Sequence, residues 1–296
     1  MVGSINRAFA LTLEARPAPG ESVTDAQLSL HNGGKGANQS AAASKLGANV
    51  TILGRVGDDD LGGPLVAALA DKGVNVDLVE RVAGVSSGAA FITVTPDGEN
   101  AIAVAPGANR SLVPEDVDAA RDHIRAADVL VMQMEVPVGV VERAAEIAYR
   151  SGTRVILNLA PPREIPDSLL EKLDPLIVNE HEAAFLLGEK VSGIEGARFA
   201  ASKLLSLGPQ SAVVTLGGSG AILATGETVE YTLAPEVEVV DTTGAGDAFV
   251  GALAARLAAG DELAEAVRYA VKAGAVAVRS AGAQGTLPTP EMIEEF

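Results

Sequence analysis

Along the chain, near-continuous apolar stretches of strand length alternate with stretches whose apolar positions recur at helical spacing. NVTILG, centred on 50–54, precedes LGGPLVAALADKG, and VLVMQ at 129–133 precedes PVGVVERAAEIAYRSG. In the latter segment Val140, Val141, Ala144, Ile147 and Ala148 share one helical face. RVILNLA (154–160), PLIVNE (175–180) and SAVVTL (211–216) are further apolar runs. Strands this uniformly apolar are covered on both faces. Their alternation with helices implies right-handed crossovers. The pattern therefore predicts an α/β fold, a doubly wound, mainly parallel sheet flanked by helices. Ligands of such sheets bind at the carboxyl ends of the strands.

Two stretches depart from this rhythm. Residues 9–31 and 87–105 alternate with a period near two, and the second carries the hairpin signal Asp97-Gly98. They predict a small β-sheet projecting from the main body, with an apolar face suited to a lid or a dimer surface. With no linker, repeat or low-complexity tract, the expected organisation is a single domain over 1–296, with lid β-segments at about 8–32 and 87–106. Only Met1 and Val2 precede Gly3-Ser4-Ile5-Asn6, so a first strand would be very short. Asp58-Asp59-Asp60 reads as a solvated loop before a helix rather than a cation site.

Composition narrows the chemistry. The 296 residues carry 22 Lys+Arg against 39 Asp+Glu, a net charge of −17, with no Cys and no Trp. The absence of cysteine excludes a disulfide scaffold, a cysteine zinc site, an iron–sulfur cluster and a thiol nucleophile. The acidic balance argues against nucleic acid and anionic membrane as partners. No apolar run approaches the roughly 18 residues of a membrane span. The start lacks a basic region followed by an apolar one, so a soluble, cytoplasmic protein is expected.

DTTGAGDAFVGALAARLAAG at 241–260 is the most informative segment. VEVV leads as a strand into Asp241-Thr242-Thr243, then Gly244-Ala245-Gly246-Asp247, then a helix whose apolar positions include Phe249, Val250, Leu253 and Leu257 and which ends at Gly260. Backbone amides converging at a helix start, with the positive end of the dipole, make an anion site. A carboxylate at 247 either caps the helix or takes a proton from a hydroxyl attacking a bound phosphoryl group.

HNGGKGANQSAAASKLG at 31–47 offers Gly33, Gly34 and Gly36 for close approach to a ligand, with Lys35 and Asn38 as donors. It is neither a P-loop nor a dinucleotide fingerprint, which disfavours an oxidoreductase. Polar groups also follow three strands: Gln133, Met134 and Glu135; Asn158; and Asn179 to Glu182. Asn179 and Glu182 have capping-box spacing, and the same pair could hold a hydrated Mg²⁺. Thr215 to Gly220, through Gly217, Gly218 and Ser219, is a glycine turn fit to flank a nucleotide or simply to reverse the chain. His31, His123 and His181 have no metal-ligand spacing.

In order, GSIN, PGES, GGKGANQSAAASKLG, GENAIAVAPGAN, MQMEVP, LNLAP, VNEHEA, TLGGSG, DTTGAGDAFVGALA and AGAQGTLP resemble the ribokinase-like sugar kinases, also called the phosphofructokinase-B family. The resemblance runs nearly end to end. It implies an ATP-dependent kinase that phosphorylates the primary hydroxyl of a pentose, D-ribose in the first place. Asp247 would be the catalytic base, and the Gly244, Ala245 and Gly246 amides the anion hole. Asn6, Gly33, Gly34, Lys35, Asn38 and Glu135 would hold the sugar. Asn179 and Glu182 would organise Mg²⁺ and phosphate, and Thr215 to Gly220 would flank ATP. Potassium would sit behind the anion hole on Asp241, Thr243, Ala277, Ser280, Gly282 and Thr286, and two lids would clasp into a homodimer.

Two positions depart from the family. Where it has GSIN-x-Asp, with the aspartate on vicinal sugar hydroxyls, this chain has Ala8. Losing a charged hydrogen-bond partner costs about 2–3 kcal/mol of binding. Glu14 lies too far along the strand to substitute, at roughly 20 Å. Val271 stands where ribokinases often carry His or Asn near the adenine. A nucleoside or other furanose kinase is therefore the alternative, and a sugar- or nucleotide-binding protein without turnover a further one.

Overall fold

In the computed structural model of the chain, residues 1–95, 100–280, 282–285 and 287–296 are described. Asp97-Gly98, Thr286 and Ala281 lie outside them.

The central sheet runs β12 (Val229–Thr232), β11 (Ala221–Thr225), β10 (Ser211–Thr215), β9 (Leu176–Asn179), β8 (Arg154–Asn158), β7 (Val129–Gln133). Val2 then bridges β7 to the parallel pair β3 (Thr51–Gly57) and β4 (Asn75–Val82) through Met132 and Leu53. The short first strand is thus a single bridging residue, whose amide donates to Val131 O at 3.0 Å. From β7 to β10 all pairs are parallel, whereas β11 and β12 add antiparallel at one edge.

Alternation along the strands assigns the two faces. Val131, Ile156, Ile177 and Val213 pack with Val250 and Leu253 of α9 (Ala245–Ala258) and Ala270 of α10 (Leu263–Ala277). Met132, Leu157, Val178 and Val214 pack on the other side with α5 (Val138–Ser151) and α8 (Gly193–Leu205). Val271 belongs to the first of these cores and is buried there. Helices on both sides explain why the strands read as unbroken apolar runs.

The VEVV segment is not a strand: residues 233–239 have no regular structure, and Val239 and Val240 are exposed. β12 already occupies the sheet edge, so the amides of Val240 and Asp241 turn instead to Val278 O beyond α10, at 2.8 and 3.2 Å.

A second sheet has the order β2 (Gln27–Gly33), β1 (Asn6–Thr12), β5 (Gly88–Val94), β6 (Asn100–Ala105). One face carries Asn6, Ala8, His31, Gly33 and Ala90, and the other Phe9, Leu28, Leu30 and Phe91, as the pairing register requires. Phe9 and Phe91 stack with ring centroids 5.2 Å apart. Asp59 is not the solvated residue expected: its carboxylate accepts from Gly62 N at 2.9 Å and Ser87 N at 2.7 Å. It ties the start of α2 (Gly62–Ala70) to the entry of β5.

Candidate active site

Two helix starts and the carboxyl ends of β7, β8 and β9 meet at one place. α1 (Lys35–Lys45) leaves β2 through Gly34, whose φ of 90° suits glycine. A Cβ on Gly34 would lie 2.7 Å from Ser4 O, and one on Gly36 2.6 Å from Gly3 C. On the side where a Cβ would stand, these two glycines admit the backbone of residues 3–6. Gly33 differs: an added Cβ there would make only ordinary contacts, with Ala8 Cβ at 3.7 Å and Asn6 O at 3.8 Å.

Asp247 lies in the first turn of α9 and does not cap it, since no side chain bonds the helix start. Its carboxylate accepts from Asn38 Nδ2 at 2.8 Å and Gln39 Nε2 at 3.0 Å, both from α1. Burial pushes its pKa up, against the Lys35 charge and the two amide bonds, which favour ionisation. An uncapped helix start keeps first-turn N–H groups available to an anion. Gly246 faces open space, whereas the Ala245 amide makes a long turn bond of 3.3 Å to Thr242 O. Gly244, at φ 83°, is pressed against Ala283 and could not carry a side chain.

Lys35 completes the charge balance. Burial alone would lower its pKa, but the carboxylates of Asp247, Glu135 and Glu182 outweigh that and hold it above the ordinary value. Glu135 accepts from the Lys35 amide at 3.0 Å and from the Ser4 hydroxyl. Asn6 Oδ1 accepts from Asn109 Nδ2 at 2.7 Å. Asn6 and Glu135 open onto a cavity of about 590 Å³. The Lys35 amide ties Glu135 of that cavity to the start of α1, and Asn38 one turn on ties α1 to Asp247.

Asn179 and Glu182 form the capping box of α7 (Glu180–Leu187), each side chain bonded to the other's backbone N–H at 2.8 Å. The Asn179 side-chain oxygen is thereby engaged, and only one Glu182 oxygen is left without a protein donor. Burial raises the Glu182 pKa, opposed by the Asn179 amide and the Lys35 charge. No group of three metal-ligating side chains exists among the described residues. A single carboxylate facing the lysine suits a hydrated cation held through water and phosphate better than a dedicated cage. Thr215 closes β10, and Gly217, Gly218 and Ser219 form a 3₁₀ turn that Gly220 leads into β11.

Asp241 accepts from Thr243 N at 2.9 Å and Gly282 N at 2.8 Å. Burial opposes its ionisation, yet bonds from the Thr243 side chain and from the amides of Gly282 and Thr243 hold its carboxyl below the usual value. One ionised carboxylate therefore gathers two loops that carry most of the suspected cation ligands. Ala277 ends α10, and Ser280 follows two residues past its cap, Val278. Thr286 lies outside the described residues.

Several site residues had no strong signal of their own in the sequence. Gln39 bonds both Asp247 and Asn158 Oδ1, the latter at 3.1 Å, and accepts from Gln133 Nε2 at 2.6 Å. Gln284 donates to Asn38 Oδ1 at 2.8 Å. Ser4 and Asn109 bind the residues that face the cavity. The only sequence signal was membership of the GGKGANQ, AGAQG, GSIN and PGAN segments, where a small or amide residue attracts little notice.

The family model for pfkB family carbohydrate kinases matches residues 1–290. The ribokinase of Staphylococcus aureus is 36% identical over 298 residues, covering 100% of this chain and 98% of that protein. The deoxyribokinase of Salmonella typhi is 36% identical over 281 residues, 95% of this chain and 92% of its own. Among solved structures, Arabidopsis thaliana ribokinase complexed with ribose and ATP superposes with a TM-score of 0.91 at 31% identity, covering 99% of this chain and 96% of that one. The chain belongs to the pfkB carbohydrate kinase family. It is a phosphotransferase acting on an alcohol group of a sugar.

Proposed function

We propose that the chain is an ATP-dependent pentose kinase that converts D-ribose to ribose 5-phosphate. The observation that carries this reading is a buried Asp247 carboxylate, bonded by Asn38 and Gln39, at the uncapped start of α9. A helix start stabilises negative charge developing on the transferred group, and Asp247 beside it takes the proton of the attacking primary hydroxyl. The burial that raises its pKa also strengthens it as a base. Asn6, Gly33, Gly34, Lys35, Asn38 and Glu135 hold the sugar's remaining hydroxyls. Thr215 to Gly220 lie along the nucleotide.

Glu182 would hold a hydrated Mg²⁺, which would supply charge neutralisation at the phosphates. Asp241 and the carbonyls of Thr243, Ala277, Ser280 and Gly282, with the Thr286 hydroxyl, would hold potassium, which would supply positive charge beside the anion hole. The four-stranded sheet acts as the lid of a single 1–296 domain and pairs with a second copy. The cytoplasm, with its MgATP and potassium, is the expected compartment. Ala8 favours a second reading, a kinase for a related furanose such as deoxyribose or a nucleoside.

The deciding experiment measures ADP release from MgATP with potassium, across ribose, deoxyribose, other pentoses, hexoses and nucleosides. Turnover of ribose at low concentration supports ribokinase activity. Turnover of another acceptor alone transfers the assignment to it. Silence across the panel, with ATP still bound, identifies a binding protein and refutes the kinase reading.

A further inference from the structure

Given that the chain phosphorylates a furanose, the loss of the family's aspartate at Ala8 leaves a gap on the acceptor-facing side of the second sheet. The pairing register limits which residues can fill it. Ala8 pairs with His31 on β2 and with Ala90 on β5. Directly opposed residues point to the same face, so the nearest cross-strand groups are one imidazole and one methyl. Along β1 the same face carries Asn6 and Ala10, and along β2 it carries Ser29 and Gly33.

The ring of His31 is fixed from two sides. Its Nε2 lies 3.0 Å from Ser29 Oγ. Its Nδ1 would lie 3.2 Å from a Cβ on Gly282, so the ring crosses from the lid to the loop whose Gln284 donates to Asn38. No hydrogen bond is made by Nδ1 among the described residues. The ring is half-buried, lies on the sheet face that carries Asn6 and Gly33, and is close enough to Asp241 to help lower that carboxyl's pKa. A ring nitrogen that is held in place and makes no hydrogen bond can take one from, or give one to, a ligand hydroxyl.

We propose that His31, oriented by Ser29, is the acceptor-specificity residue of this enzyme and binds the furanose hydroxyls that an aspartate at position 8 would otherwise hold. An imidazole nitrogen provides one hydrogen bond where a carboxylate provides two, so the site is more tolerant of an acceptor that lacks one of the vicinal hydroxyls. The transferred group and Asp247 are untouched by this exchange, so His31 acts on sugar affinity and not on the chemical step.

The test compares wild type, His31→Ala, His31→Asn and the double variant His31→Ala/Ala8→Asp, with steady-state kinetics and calorimetric sugar binding. Wild-type turnover of ribose tests the ribokinase reading by itself. The ratio of variant to wild-type KM, on whichever furanose the enzyme accepts, tests His31. We expect KM and Kd to rise three- to ten-fold in His31→Ala, with kcat within two-fold of wild type and the potassium activation constant unchanged. His31→Asn should recover part of the affinity, and adding Ala8→Asp to His31→Ala should recover most of it. An unchanged sugar KM in His31→Ala overturns the proposal. So does an effect confined to potassium activation, which would make His31 a structural prop for the Gly282 loop. If His31→Ala is unstable, His31→Asn and Ala8→Asp carry the test: full wild-type behaviour in the first, with no gain of affinity in the second, overturns it equally.

Discussion

At Asp247, burial and hydrogen bonding pull in opposite directions, and burial wins, leaving the pKa above the ordinary aspartate value of about 3.9. The sign follows directly. Below its folded pKa the carboxyl is protonated and cannot accept the sugar's proton, so kcat/KM should fall on the acid side at a higher pH than a free aspartate would give. Asp247→Ala should cost about 10²- to 10⁴-fold in kcat, with nucleotide binding retained by calorimetry. A variant that kept comparable turnover would remove the residue from the chemistry. Gln39 belongs to the same balance as a positioning residue, because its amide favours the ionised carboxylate. Gln39→Ala should move the acid limb of the pH profile to higher pH and lower kcat about ten-fold, on the order of one charged hydrogen bond. A lower kcat with an unmoved limb would mean that Gln39 only supports packing. Asp247 stood out in the sequence because an acidic residue at an anion site is anomalous, whereas Gln39 merely continued a small-residue helix.

At the scale of elements, the site depends on how closely α1 approaches α9, since each contributes one side of the Asp247 contact. Gly251 sets that approach: a Cβ there would lie 2.7 Å from Ala42 Cβ and 2.7 Å from Gln39 O. Gly251→Ala must push the helices apart, at about 1–3 kcal/mol for overpacking. The displacement falls on the residue that holds the base, so both Tm and kcat should drop. A fall in Tm with unaltered kcat would show that the two helices can part without disturbing Asp247. The parallel strands and the helix after GAGD were legible in the sequence because uniform apolar runs and helical spacing are local patterns. Residues 233–239 were not legible, because whether VEVV joins a ladder depends on the sheet edge that β12 already occupies. Likewise the glycines of GGKG announced a close approach, but only the fold reveals that two of them approach the chain's own residues 3–6.

Across the whole molecule, the second sheet presents two unlike faces. One bears Asn6, which lines the cavity, with His31 and Gly33, and the other carries Leu28, Leu30 and Phe91, exposed at 59%, 53% and 48%. Large apolar side chains clustered on a projecting sheet are costly to leave in water, at about 25 cal/mol per Å². A second copy of the same sheet offers a matching surface through a two-fold axis. Alternation in the sequence announced this amphipathic sheet, but not what covers it. We expect the protein to sediment at twice its chain mass at micromolar concentration. Leu30→Glu places a charge in the middle of the patch on a strand already exposed, so it should yield a folded monomer with an unchanged circular dichroism spectrum. Because the opposite face of that strand carries His31 and Gly33, proposed above to hold the sugar, the monomer should also show a higher KM for the acceptor while its nucleotide KM stays as in wild type. A wild-type protein that sediments as a monomer under these conditions would refute the lid-to-lid dimer and leave the sheet as a lid alone.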